Sequence, residues 1–364
     1  MSDFYKNVLS SLIKSLNNFF PDNFDWEIRK LGMRRKVKLR VEVLVNGLMR
    51  LMGMESAVTF SHWKNYYFQH VDLFEETYGL LKDDSSKKKY IELLMHKMLG
   101  FTKVKLSLNN DGFWASRAKV DLLKRHEKIP VNFRNGYLDL YDLSDAGYDI
   151  KLYFVQNGIF VDFILQQYNY DDLVCVNKGD VVIDAGGCWG DTALYFAARG
   201  AEQVFVYEFI PSNIAIFNLN LSLNPQYAGR INLVEKAVWE SSGLDLSFED
   251  QGPSSSVAEG GVYDNTTQTL SIDDLVRKRG LSKVDFIKMD IEGAELSALK
   301  GAAATISQHK PKLAISVYHK PDDLVTIPKY IQTLNPNYEF YLDYYTIIGD
   351  EIILYAIDVE SIHA

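Results

Sequence analysis

Val181-Val182-Ile183-Asp184-Ala185-Gly186-Gly187-Cys188-Trp189-Gly190-Asp191-Thr192 is the stretch that decides the fold. Three β-branched residues read as a short buried strand that ends on Asp184. Gly186, Gly187 and Gly190 then lead into a helix. Glycine is needed where a backbone turns tightly and comes close to a ligand; a purely structural βα turn would use the same residues. The dinucleotide pattern G-x-G-x-x-G has similar logic, but the spacing differs here and an acid stands at the strand end. A pyrophosphate would sit on the helix N-terminus, where Asp184 would repel it. A cationic amino group, such as that of the methionine end of S-adenosylmethionine (SAM), suits Asp184 better.

Strands and helices alternate downstream of this loop. Asp191 to Arg199 reads as helix, Gln203 to Glu208 as strand, Pro211 to Asn224 as helix and Ile231 to Val238 as strand. A polar insertion with Gly243, Gly252, Gly260 and Gly261 precedes a helix over Ile272 to Gly280. Then come strand Val284 to Asp290, helix Glu292 to Gln308, strand Lys312 to Tyr318 and helix Asp322 to Leu334. Tyr338 to Leu342 and Glu351 to Ile357 follow as strands with no helix between them. Alternating units imply a parallel sheet covered on both faces, and the last two strands an antiparallel hairpin at its edge.

Upstream the signals differ. Leu9, Leu12, Ile13 and Leu16 recur at helical spacing, and Pro21 ends that segment. Val41 to Met54, Phe74 to Leu81 and Tyr90 to Leu99 read as further helices. Residues Asn110 to Asp149 read as a connecting region. Asp149 to Phe163 alternates in β fashion around Asn157-Gly158, so a β-hairpin is expected at about 149–168. The expected division is therefore a mainly helical region over 1–140 and a sheet domain over 141–364.

The chain has 364 residues, 47% hydrophobic and 24% charged, with a net charge of -9. That composition supports a sizeable core and argues against a nucleic-acid partner held by overall electrostatics. Cys175 and Cys188 form neither a metal pair nor a disulfide framework. With no signal-peptide pattern over Met1 to Phe20, the expected location is the cytoplasm. No run of about 18 apolar residues predicts a spanning helix. Arg29, Lys30, Arg34, Arg35, Lys36, Lys38 and Arg40 precede the apolar Val43, Leu44, Leu48, Leu51 and Met52. Residues 29–54 read either as a solvated face leading into a core helix or as a peripheral membrane contact.

Three further groups carry chemistry. Glu208 ends the second strand 18 residues after Gly190; an acid there accepts hydrogen bonds from ribose hydroxyls. Phe209, Ile210 and Pro211 follow, and Ile210 can pack on an adenine, with the Glu235-Lys236-Ala237 turn nearby. Lys288-Met289-Asp290-Ile291-Glu292-Gly293-Ala294-Glu295 places three carboxylates at a strand's carboxyl end. Asp290 and Glu292 suit a general base or a hard divalent cation such as Mg²⁺. Glu292 and Glu295 also suit a helix N-terminus. His319 ends the fifth strand on the same rim, where it can take a proton from a hydroxyl.

These segments resemble the FkbM family of SAM-dependent methyltransferases. The resemblance lies in Ile183 to Thr192, Tyr207 to Asn213, Thr269 to Leu275, Phe286 to Glu295 and Leu313 to Asp323, and covers about Tyr141 to Ile357. It implies a class I methyltransferase (Rossmann-like) fold: a seven-stranded, mostly parallel sheet with an antiparallel C-terminal hairpin. It also implies SAM as donor and an oxygen acceptor on a sugar, saccharide or secondary metabolite. The cofactor set is then Asp184, Gly186, Gly187, Trp189, Gly190, Asp191 and Thr192 from the loop, with Glu208, Phe209, Ile210, Ala237 and Asp290. The catalytic set is Asp290, Glu292 and His319, with Glu295 near the acceptor. Phe209-Ile210-Pro211 stands where the family has an acid-proline step, and Tyr341 to Tyr345 lacks an Arg-His pair. A nucleoside-binding scaffold on the same fold and an NAD-dependent oxidoreductase are the alternative readings; Asp184 disfavours the latter.

Overall fold

In the computed structural model, residues 2–23, 41, 44, 64–131, 136–255, 257–258 and 263–362 are described. Apart from residues 41 and 44, the expected helix over Val41 to Met54 and the basic stretch before it lie outside them. The N-terminal helices are α1 (Asp3–Leu16), α2 (Lys64–Gln69), α3 (Leu73–Leu80), α4 (Asp84–Leu99) and α5 (Asp111–Leu123). Their starts are chemically marked. Asp83 accepts the Ser86 backbone N–H at 2.6 Å, and Asn110 accepts that of Phe113 at 3.1 Å. Each such cap contributes about 1 kcal/mol.

The region expected as a connection instead holds α5 and most of an antiparallel three-stranded sheet: β1 (Lys124–Val131), β2 (Gly136–Asp142) and β3 (Lys151–Phe154). The hairpin expected at 149–168 does not form. After β3 the chain makes a helical turn over Gln156–Gly158 and a π-type turn over Ile159–Ile164. Apparent alternation misled here because Ile159, Phe160, Val161 and Phe163 are all buried, together with Asp162. A segment enclosed on every side need not keep one polar face, so a period of two carries no weight.

The main sheet follows: β4 (Val181–Ala185), β5 (Gln203–Tyr207), β6 (Ile231–Val234), β10 (Phe286–Met289), β11 (Lys312–Ser316), β12 (Tyr338–Tyr344) and β13 (Ile352–Asp358). Its order is β12-β13-β11-β10-β4-β5-β6. Pairs β11-β10, β10-β4, β4-β5 and β5-β6 are parallel, while β13 runs antiparallel to both β11 and β12. Helices α6 (Asp191–Ala198), α7 (Pro211–Ser222), α8 (Ile272–Arg279), α9 (Glu295–Lys300), α10 (Ala303–His309) and α11 (Asp323–Leu334) supply the crossovers. The helix expected over Glu292 to Gln308 is thus two, and it starts only at Glu295. The polar insertion after β6 forms a small sheet of β7 (Asp245–Phe248), β8 (Val257–Ala258) and β9 (Asn265–Gln268).

The N-terminal helices close the β12 edge of the sheet. The Lys82 N–H donates to Phe340 O at 2.8 Å, and the Leu342 N–H donates to the Ser86 hydroxyl at 2.9 Å. An exposed edge strand is thereby given partners. Leu93 and Leu94 of α4 share one core with Leu342 and Leu354 of the sheet. Burying each such leucine contributes about 1.5–3 kcal/mol. Among the described residues no helix is long and apolar enough to cross a membrane.

Candidate active site

The carboxyl ends of β4, β5 and β10 open into a cleft. Gly186 and Cys188 form its floor. Glu208, Phe209 and Ile210 line one wall, Asp290, Ile291 and Glu292 the other, and Ala237 with Pro253 closes the far side. The loop after β4 can pass so close to β10 only as glycine. Gly186 has φ +89°, and a Cβ there would stand 2.1 Å from Asp290 O. At Gly187 a Cβ would meet the Val206 side chain at 2.0 Å.

The predicted cofactor residues divide into two groups. Gly186, Glu208, Phe209, Ile210, Ala237 and Asp290 line the cleft. Asp184, Trp189, Asp191 and Thr192 are buried beneath the loop, while Gly187 and Gly190 shape its turn against Val206 and Phe217. Asp184 is fully enclosed, which corrects the expectation that it meets a ligand's amino group. Its carboxylate pairs with the Lys288 ammonium at 3.1 Å and accepts the Thr192 hydroxyl at 2.6 Å. The reason is register: Asp184 and Lys288 are directly opposed on β4 and β10, and a charge pair in a buried sheet must satisfy itself internally. Lys288 also donates to Gly186 O at 2.5 Å, tying the loop to β10. Trp189 donates its indole N–H to Asn213 at 3.0 Å. Asp191 lies against Asp162, and burial pushes its carboxyl up to about 6.

Glu208 is held by three donors. Its Oε1 accepts the N–H groups of Phe209 at 2.7 Å and Ile210 at 2.8 Å; its Oε2 accepts Asn213 Nδ2 at 3.1 Å. Burial nevertheless pushes its pKa up to about 7. Asn213 therefore links Trp189 of the loop to Glu208. The sequence reading did not assign it, although its place one helical turn into α7 was a usable signal.

The opposite wall is richer in charge and poorer in donors. Asp290 receives only long contacts, from Tyr168 Oη at 3.4 Å and Tyr318 Oη at 3.3 Å. Tyr318 Oη is also 3.3 Å from Glu351 Oε2, and one hydroxyl proton serves one acceptor at a time. Burial, reinforced by the Asp290 charge, pushes Glu351 up to about 8. Glu292 sits in the left-handed region at φ +53°, uncommon for a side chain other than glycine. Partial enclosure in the cleft pushes its carboxyl up to about 7. Glu295 fixes this turn: its Oε1 accepts Ile291 N–H at 2.9 Å and Gly293 N–H at 3.4 Å.

His319 stands behind these acids. Its Nδ1 is 2.8 Å from Glu295 Oε1, and its Nε2 faces Asp290 at 3.6 Å and Glu292 at 3.8 Å. Burial opposes its charge, but the hydrogen bond to Glu295 and the surrounding carboxylates prevail and raise its pKa to about 10. That corrects the expectation of a histidine base. At neutral pH this imidazole already carries its proton, because three acids surround it. Tyr168, Tyr318 and Glu351 gather behind Asp290 from three separate segments, and sequence spacing gave no sign of them.

Comparison with known proteins places this geometry. Residues 174–341 match the model of the methyltransferase FkbM domain. The methyltransferase FkbM from Methylobacillus flagellatus KT has the same fold. It is 21% identical, the match covers 86% of this chain and 70% of that one, and the TM-score is 0.55. Looser matches include the Aeropyrum pernix fibrillarin bound to S-adenosyl-L-methionine, at 15% identity, 64% and 97% coverage and TM-score 0.33. Another is the precorrin-6y C5,15-methyltransferase from Geobacter metallireducens, at 11% identity, 53% and 85% coverage and TM-score 0.32. No curated protein matches by sequence. The fold is that of the class I methyltransferases.

Proposed function

We propose that the protein transfers a methyl group from SAM to a hydroxyl oxygen of a saccharide or another small metabolite. The observation that carries this reading is a single cleft with a carboxylate at each end. Glu208, aligned by backbone donors, accepts the two ribose hydroxyls, with the adenine between Ile210 and Ala237. Asp290 and Glu292 face the acceptor. The reaction breaks the sulfonium S–CH3 bond and forms an O–CH3 bond, and the acceptor's proton leaves to a base. Glu292, titrating near neutrality, suits that role. His319 is a fixed positive charge that steadies the carboxylates. The remaining work is alignment of the two reactants.

Calorimetric titration tests the reading. SAM or S-adenosylhomocysteine should bind, and NAD should not; lack of any nucleoside binding overturns it. Methyl transfer from isotopically labelled SAM to a panel of saccharides and hydroxylated metabolites then identifies the acceptor. SAM binding with labelling confined to nitrogen or carbon acceptors removes the O-methylation half. The acidic net charge and the acidic cleft suit a small-molecule acceptor rather than a nucleic acid.

A further inference from the structure

We propose that Glu351 is a positioning residue that keeps its carboxyl proton and, through the Tyr318 hydroxyl, holds Asp290 as the ionised acid of the cleft wall. The observation is one hydroxyl set between two acids. Tyr318 Oη lies 3.3 Å from Asp290 Oδ1 and 3.3 Å from Glu351 Oε2. Asp290 directly follows β10, Tyr318 lies just past β11, and Glu351 directly precedes β13. Asp290 lines the cleft; Glu351 stands behind it. The Glu351 backbone is pinned at φ +53°, and its carbonyl accepts the Tyr345 N–H at 3.0 Å.

One phenolic proton cannot serve two carboxylates. With both ionised, one would be buried beside a like charge without a donor, which is costly. A proton on Glu351 removes the conflict: its O–H donates to Tyr318 Oη, and the Tyr318 O–H donates to Asp290. The surroundings place that proton on Glu351 rather than Asp290. Asp290 has the His319 imidazolium at 3.6 Å and a second phenol, Tyr168, at 3.4 Å. At Glu351, burial first, then the charges of Asp290 and Asp350, outweigh His319 and Tyr318 and push the carboxyl up to about 8. Asp162 and Tyr168, from the segment before β4, also feel its charge. From α4, Lys97 lies against Asp350 at 4.0 Å and Gly349 O at 2.7 Å. The purpose rests on the methyltransferase reading: an ionised Asp290, aimed by two phenols, holds the acceptor in line while Glu292 takes the reacting proton. The proton on Glu351 does not rest on it.

Infrared spectroscopy of the full chain against pH is the test, with kcat measured over the same range. A protonated-carboxyl band should be present at neutral pH and fade as pH rises through about 8. Glu351→Gln should remove it, and Tyr318→Phe should shift it. In methyl transfer, kcat should fall over the same interval. Tyr318→Phe and Glu351→Ala should each lower kcat at neutral pH by roughly 3–10-fold and abolish that fall. Glu351→Gln, whose amide still donates to Tyr318, should recover most of the loss seen in Glu351→Ala and stay flat with pH. No carboxyl band lost between about pH 7 and 9 in the unaltered protein overturns the proposal without recourse to a variant. An alkaline fall in kcat that survives Glu351→Gln overturns it too. The band without methyl transfer to any acceptor removes the methyltransferase reading alone; methyl transfer without the band removes the role of Glu351 alone.

Discussion

Two acids mark the ends of the cleft, and they are held in opposite ways. Glu208, after β5, has three donors at 2.7, 2.8 and 3.1 Å. Asp290, after β10, has two phenolic contacts at 3.3 and 3.4 Å and is crowded by other acids. Both follow a parallel strand at the rim where such sheets bind ligands. Those donors hold the Glu208 carboxylate in one orientation. The Asp290 wall is short of hydrogen-bond donors, and the His319 imidazolium faces its carboxylates at 3.6 and 3.8 Å. On the proposed reading, the close alignment at one end serves the cofactor and the looser, charge-rich surroundings at the other serve the acceptor.

The largest effect should come from the acceptor end. Glu292→Gln should lower kcat by roughly 10²–10⁴-fold while SAM affinity, measured by calorimetry, stays near that of the unaltered protein. A parallel fall in SAM affinity would erase the division. Lys288→Met should come next, because it strands the buried Asp184 carboxylate between the two ends. We expect a loss of about 3–5 kcal/mol in denaturant unfolding; a change within error would show that the pair is not structural.

Glu208→Ala should weaken SAM binding by roughly 10–100-fold, the loss of charged hydrogen bonds worth about 1.5–3 kcal/mol. The pH dependence gives a sharper version. Glu208 titrates at about 7 without ligand, and ribose hydroxyls need the ionised carboxylate. SAM affinity should therefore fall as pH drops below about 7, approaching a factor of about ten per pH unit. Glu208→Gln should be weak and flat across that range. The smallest effect concerns His319. Its folded pKa of about 10 lies above the ordinary 6.5. Its contribution to stability is then complete below about 6.5 and lost as pH rises toward 10. Thermal unfolding of the unaltered protein should decline more steeply over that window than that of His319→Gln.

The sheet was legible because its signals are local. Val181 to Asp184, the glycines and the regular alternation beyond them each carry their own period. Glu208, Asp290 and Glu292 could be placed on the cleft because strand ends can be counted. Asp184 was misjudged for a reason that a single strand does not reveal: its partner, Lys288, lies 104 residues away and becomes a neighbour only through the β4-β10 register. A lysine inside Phe286-Ile287-Lys288-Met289 was a clue, since a buried cation requires an acid. The role of His319 depended on three acids gathered from other segments. The segment Ile159 to Ile164 failed differently, because complete burial removes the polar face on which periodicity depends.

The order of the main sheet has one more implication. β13, residues Ile352–Asp358, is inserted between β11 and β12, yet it lies beyond the matched segment 174–341. Partners of β12 also come from Lys82 and Ser86, far upstream. Segment 174–341 alone should therefore lack strand partners that the intact chain supplies. Cut to 174–341, it would expose β11 as a bare apolar edge and leave the remnant of β12 with no strand to pair with. Such a fragment should aggregate rather than fold.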